Sequence, residues 1–210
     1  MHQFASFKYM QNEADKNSGI AAEISNAMEM VPKLRVRYAG RTYPAEKFSL
    51  QRAEKYFKQN ETCLLPAYEL FYVWNIFSML KRDSRLLYPI ADRVERELEN
   101  FDSQVRDVED KCVLLLLRGV CAKYLKDYDK AIESLSEVVR LENEPSLKKA
   151  YVVPHSTLEL GLVYKALGDK KQAKYWIEKA RSSRSTKYLL EALVQLKAHG
   201  AIRQIGEGRE

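Results

Sequence analysis

Residues 112–145 and 154–187 carry one pattern written twice, with Gly119 answered by Gly161 and Ala131 by Ala173, each pair about 42 positions apart. That recurrence constrains the fold more than any other feature, because a unit so short cannot bury its own apolar face and has to stack on a neighbour. In the second copy Leu160-Gly161 and Tyr164 are followed by Gly168-Asp169, then by Ala173, Ile177 and Ala180. Gly161 lacks a Cβ, so a partner helix can approach closely, and Ala173 is the small surface it approaches. Gly168 suits the positive φ of a helix end, and Asp169 suits the cap of the next helix. The first copy keeps Gly119, Tyr128, Ala131, Leu135 and Val138 but places Lys126 where a turn glycine is expected. Pro145, in the insertion at 142–149, forbids one continuous helix across the two copies.

This alternation of small and large residues at helical spacing is the tetratricopeptide pattern. The fold it predicts is all-α: antiparallel helix pairs in a right-handed solenoid of about ten helices, counted as a single array over residues 1–210. Residues 1–32 form a degenerate repeat, with helices at 3–16 and 20–31 split by Asn17-Ser18-Gly19 and ended by Pro32. Ile24, Ala27, Met28 and Val31 share one face of the second. Residues 33–43 read as an extended connector. The layer at 44–100 starts with Pro44 in the first turn of a helix to Lys58, with Phe48, Ala53 and Phe57 inward. It continues with one helix at 66–80, apolar on nearly every side, and a partner at 83–100. The repeat helices fall at 108–125, 128–142, 155–167 and 170–181; a helix at 186–199 caps the open end, and 200–210 is a fraying tail.

Bulk properties narrow the class. Hydrophobic residues at 46% and charged residues at 30% suit a folded, soluble chain. No signal-type apolar core opens the sequence, and the most apolar stretch, 64–80, is short of a span and contains Glu69 and Asn75. Cys112 and Cys121 lie on one predicted helix and cannot meet, so with Cys63 they form no disulfide framework; a reducing compartment follows. His2, His155 and His199 are scattered and no Cys-X-X-Cys occurs, so neither a metal nor any other cofactor is expected. Charge is uneven: residues 165–210 hold eleven Lys or Arg against five Asp or Glu, whereas 92–110 hold eight acids against three arginines. Such fields steer partners.

Several segments resemble one family. Tyr151-Val152-Val153-Pro154 leading into Leu158-Glu159-Leu160-Gly161-Leu162, Tyr164-Lys165 and Gly168-Asp169 is similar to the C-terminal part of the tetratricopeptide repeat protein 39 family, related to the yeast inclusion-body clearance proteins. The stretch from Ala39-Gly40-Arg41 to Phe48, Tyr72-Val73-Trp74-Asn75 and Leu117-Arg118-Gly119-Val120-Cys121 fit the same resemblance in order. Ile76 and the stretch 184–188 depart from it. The resemblance implies an intracellular, non-enzymatic helical adaptor, with roles in lipid homeostasis or protein clearance, and brings no catalytic residues.

Two binding surfaces are expected. On the repeat template the concave groove is lined by Leu116, Val120, Lys123 and Tyr124, with Val113 beside them, and by His155, Leu158, Leu162 and Lys165. A peptide or amphipathic helix is its occupant. The polar clamp that grips chaperone C-terminal tails should stand at Leu116 and Val120, or Leu158 and Leu162, and is absent, so such tails are not expected partners. The alternative surface is a basic C-terminal face of Lys170, Lys171, Lys174, Lys179, Arg181, Arg184 and Lys187, which would contact anionic membrane or nucleic acid. Tyr175 and Trp176 nearby are expected to pack inward. Acid pairs such as Glu97 with Glu99 have no nucleophile or Gly-rich loop beside them, so no enzyme is read here. The expected location is the cytoplasm, with the nucleus or the periphery of an organelle as variants of it.

Overall fold

The structure, a computed structural model, describes residues 1–11, 18–34, 43–182 and 188–207. All regular structure among them is helical: eleven α-helices and two short 3-10 turns. They form two compact units, Met1–Trp74 and Asn75–Glu210, where the sequence reading counts one array. Most of the connector at 33–43 lies outside the described residues.

In the first unit α1 (His2–Gln11) packs on α2 (Ser18–Lys33), α3 (Pro44–Lys58) and α4 (Pro66–Val73). Ile24, Ala27 and Met28 enter the core with Ala5, Ala53 and Tyr56. Pro44 opens α3 as expected, since its missing N–H is one the helix leaves unbonded anyway. Three expectations change. Gly19 falls inside the first turn of α2, not between helices. Pro32 lies within α2, one residue before its end, where the Leu34 N–H still closes the turn on the Met30 carbonyl at 3.0 Å. Phe57 is exposed, and the neighbouring Tyr56 takes the inward position at 3% exposure. Arg52 and Glu69 tie α3 to α4 through a buried ion pair of 2.6 Å.

The helix predicted at 66–80 is two. α4 ends at Val73 and α5 covers Phe77–Leu80, because Asn75 takes φ 60°. Asparagine tolerates that left-handed conformation, and here its Nδ2 donates to Ser78 Oγ at 2.9 Å while the Ser78 hydroxyl donates to its carbonyl at 2.8 Å. The helix predicted at 83–100 likewise starts late. Asp83 accepts from the Arg85 N–H and supports a 3-10 turn at Ser84–Leu86, and α6 runs over Tyr88–Glu99.

The second unit then stacks α7 (Val108–Leu125), α8 (Tyr128–Arg140), α9 (Val152–Ala166), α10 (Lys170–Ser182) and α11 (Glu191–Glu207). Each helix packs on the next, and α7 also meets α5 and α9, while α9 meets α11. Thus α5, α7, α9 and α11 form an inner row and α6, α8 and α10 an outer one, which is the layering of a helix-pair solenoid. The glycines permit it: a Cβ on Gly119 would lie 2.6 Å from Leu135 Cγ, and one on Gly161 2.6 Å from Ile177 Cγ1. Ala131, Leu135, Ala173 and Ile177 are all 0% exposed.

The two turns have the same geometry although their residues differ. Gly168 has φ 81° and Lys126 has φ 65°. The Asp169 N–H reaches the Tyr164 carbonyl at 3.0 Å, and the Asp127 N–H the Ala122 carbonyl at 2.9 Å, closing each helix six-to-one. Asp127 and Asp169 then cap α8 and α10 by accepting from the Lys130 and Gln172 N–H groups.

The last helix is shifted. It begins at Glu191, after Leu190 at φ 63°, and passes through Gly200 to Glu207, so residues 200–207 are helical and not a frayed tail. Ala198 and Ala201, 0% and 5% exposed, hold that extension in the core. Leu196, on the same helix, is 72% exposed.

Candidate functional site

Helix α7 supplies Leu116, Val120, Lys123 and Tyr124, and α9 supplies His155, Leu158, Leu162 and Lys165. The structure separates these eight. Leu116, Val120, His155 and Leu158 are at most 1% exposed, so they are core and line no surface; Val113, at 4%, joins them. The reason is the inner row itself: α7 is packed by α5, α6, α8 and α9, and α9 by α7, α8, α10 and α11, which covers their middle turns and leaves their C-terminal turns more open.

Those turns do form a site. Lys123, Tyr124, Leu162 and Lys165 line an open depression of about 590 Å³, together with Lys81 and Arg82 after α5, Lys126 and Tyr128 at the α7–α8 turn, and Ala166. Lys81, Arg82, Lys126 and Tyr128 escaped the sequence reading, because residues so far apart in sequence meet only through the stacking of helix ends. Lys165 also donates to Gln204 Oε1 of α11.

Behind the depression is a buried ionic cluster. Glu159, 2% exposed, accepts from Lys123 Nζ and lies 3.6 Å from Lys197 Nζ, so one carboxylate joins α7, α9 and α11. Burial alone would raise the Glu159 pKa, but Lys123 first and Lys197 second hold it well below the usual carboxylate range. Burial likewise acts to lower Lys123, and the Glu159 charge, Tyr124 and the hydrogen bonds to both together outweigh it, leaving the ammonium raised. Lys123 Nζ also stands 4.3 Å over the Tyr124 ring. The Leu158-Glu159-Leu160 run carried the signal: a carboxylate on a helix buried all round has to be paired.

His155 sits beside this cluster, edge-on to Tyr151 at 5.1 Å. Burial, then the Lys197 charge, lowers its pKa from 6.5 to about 3, and burial, then Arg52, lowers that of His2 to about 4. A histidine held neutral in the fold binds fewer protons than its unfolded counterpart, so its contribution is full above pH 6.5 and shrinks as pH falls toward the folded value. The expected result is a loss of up to about 1.4 kcal/mol per pH unit from each histidine below about pH 6.5. Urea titrations at a series of pH values check it, and His155→Phe, which keeps the ring contacts, should flatten the dependence.

Ser6 and His2 superficially suggest a nucleophile and base, with Oγ 3.4 Å from Nε2. The Ser6 proton, however, goes to the His2 carbonyl at 2.8 Å, and Ser6 is 0% exposed. Among the described residues no group of three or more His, Cys, Asp or Glu could hold a metal ion, and no helix is long and apolar enough to cross a membrane.

Of the basic face, Lys170, Lys171 and Lys174 lie on α10, while Arg184 and Lys187 fall outside the described residues. Lys179 is paired with Glu142 at 2.9 Å and Lys174 approaches Glu178 at 3.9 Å, which reduces the net charge of this face. Arg181 is on the last turn of α10. Tyr175, expected inward, is 56% exposed, and Trp176 is half-buried with Lys179 Nζ 5.5 Å from its ring centre.

Glycine-notched helix pairs, paired left-handed turns and Asp caps define a helical-repeat protein of the tetratricopeptide type. Sequence comparison agrees: the tetratricopeptide repeat profile matches residues 114–145 and 156–185. The profile of the Iml2/Tetratricopeptide repeat protein 39 family matches residues 1–125, and the chain belongs to that family. It is 30% identical over 177 residues to the tetratricopeptide repeat protein ttc-39B of Caenorhabditis elegans, across 84% of this chain. The match covers 30% of that relative's length. No solved structure matches the chain. Membership places the chain among repeat proteins that are in general non-enzymatic protein-interaction scaffolds.

Proposed function

We propose that the chain is an adaptor whose second unit seats a short polypeptide segment in the depression at the ends of α5, α7 and α9. The observation that carries this reading is the 590 Å³ opening itself, where Tyr124 and Leu162 offer apolar surface among polar groups. Affinity would come from the anchor that fills it, since a few desolvated contacts dominate such interfaces. A cytosolic setting goes with the reading. Cys63, Cys112 and Cys121 form no disulfide, and burial pushes the Cys112 and Cys121 thiols up to about 12, so neither is reactive.

A photo-crosslinking residue at position 162 tests it, with one at the exposed Glu178 of α10 as reference. Irradiation in cell lysate is expected to give discrete polypeptide adducts from position 162 and none from 178. Equal labelling from both positions would remove the depression as the binding site.

A further inference from the structure

We propose that the depression selects acidic segments: it binds a stretch in which Asp or Glu side chains flank an apolar residue. This deepens the adaptor reading and rests on it. Five of the nine lining residues are cationic, Lys81, Arg82, Lys123, Lys126 and Lys165, and none is acidic. Lys123 is committed to Glu159, and Lys165 shares its ammonium with Gln204. Lys81, Arg82 and Lys126 are exposed and form no ion pair among the described residues. The C-terminal ends of α7 and α9 contribute about half a negative charge each, so roughly three of the four remaining positive charges are left over. Such an excess around an open depression attracts carboxylates and repels basic segments.

The geometry favours a polypeptide over other anions. Nucleic acid binding would use a series of aromatic faces as stacking platforms, yet Lys123 Nζ stands over one face of the Tyr124 ring, and Tyr128 is the only other aromatic in the lining. A chain-terminal carboxylate is not required either, because the positions that would clamp it, Leu116, Val120, Leu158 and Leu162, are apolar, and the first three are buried. Side-chain carboxylates at the rim and one apolar group against Leu162 satisfy every part of the lining.

The test is a display selection of short random peptides on the full chain, followed by fluorescence anisotropy with the winners made C-terminally amidated. Enrichment of Asp and Glu around an apolar residue is expected. Replacing those acids by Asn and Gln, or introducing Arg82→Glu with Lys126→Glu, is expected to weaken binding about tenfold or more, and added salt to weaken it further. Both substituted positions are exposed, and circular dichroism confirms that the variant is folded. Enrichment of acid-free peptides that still protect position 162 from crosslinking overturns the acidic preference and leaves the adaptor reading standing. Enrichment of nothing overturns both. Anionic vesicles or single-stranded RNA that bind the native protein, lose binding in the double variant and displace the peptides would assign the charge to those ligands instead.

Discussion

Replacing Glu159 by Ala is expected to destabilise the second unit by about 3–5 kcal/mol, roughly 10 °C in its melting midpoint. The carboxylate is 2% exposed, and its removal leaves Lys123, whose side chain is 9% exposed, as a charge without its counterpart. Lys197 is 25% exposed and can turn toward water, so the loss concentrates on Lys123. Trp176 is the one tryptophan of the second unit, Trp74 lying in the first, so urea unfolding followed by fluorescence in a Trp74→Phe background isolates the effect. A paired replacement, Glu159→Leu with Lys123→Met, should recover most of the loss, since a buried ion pair exchanged for apolar groups of similar volume is often neutral or better. If Glu159→Ala costs less than about 1 kcal/mol, the cluster is solvated and the picture of a buried tie is wrong.

The second large effect belongs to the glycine notches, where two terms of opposite sign meet. Alanine gains about 1 kcal/mol of helix propensity over glycine, and overpacking costs about 1–3 kcal/mol. At Gly161 the new Cβ would meet Ile177 Cγ1 at 2.6 Å but also the Ile177 nitrogen at 3.0 Å and the Ala173 carbonyl oxygen at 3.2 Å, so α10 itself has to move. There overpacking wins, and Gly161→Ala is expected to destabilise by about 2 kcal/mol. At Gly119 the three nearest atoms all belong to the Leu135 side chain, which can change rotamer, so the net cost is smaller. Gly200, also helical, has nothing within 4 Å, and Gly200→Ala should stabilise by up to about 1 kcal/mol. Chemical denaturation of the three variants gives the order directly. A double-mutant cycle sharpens it: Leu135→Val should cost less in Gly119→Ala than in the native chain. If Gly161→Ala were as harmless as Gly200→Ala, the helices would not be packed through these positions.

What was legible in the sequence was what one residue dictates to its neighbours. Gly119 and Gly161 revealed the close helix approach, Asp169 the cap, and Pro44 the start of α3, because each acts within a turn or two. The breaks were hidden for the opposite reason. A run such as 66–80 keeps its apolar periodicity across Asn75, and only the observed φ of 60° shows that the chain turns there. The groove was half legible: helical register identified the inner helices, but which of their residues stay open depends on how many neighbours cover each turn. Val120 and Leu162 occupy corresponding positions in the pattern, yet Val120 is 1% exposed while Leu162 borders the opening. The cationic rim was the least legible, being assembled from three helix ends.

Lys126 shows what such a rim asks of the backbone. It adopts the positive φ that its counterpart Gly168 adopts freely, and a side chain there carries a conformational penalty of about 1 kcal/mol. Glycine at 126 would relax that loop and delete one of the charges around the opening. The first turn therefore trades backbone ease for an ammonium group, and the second, with glycine, makes the reverse choice, so along this chain the departure from the repeat's own grammar marks the residue to watch when partners are sought.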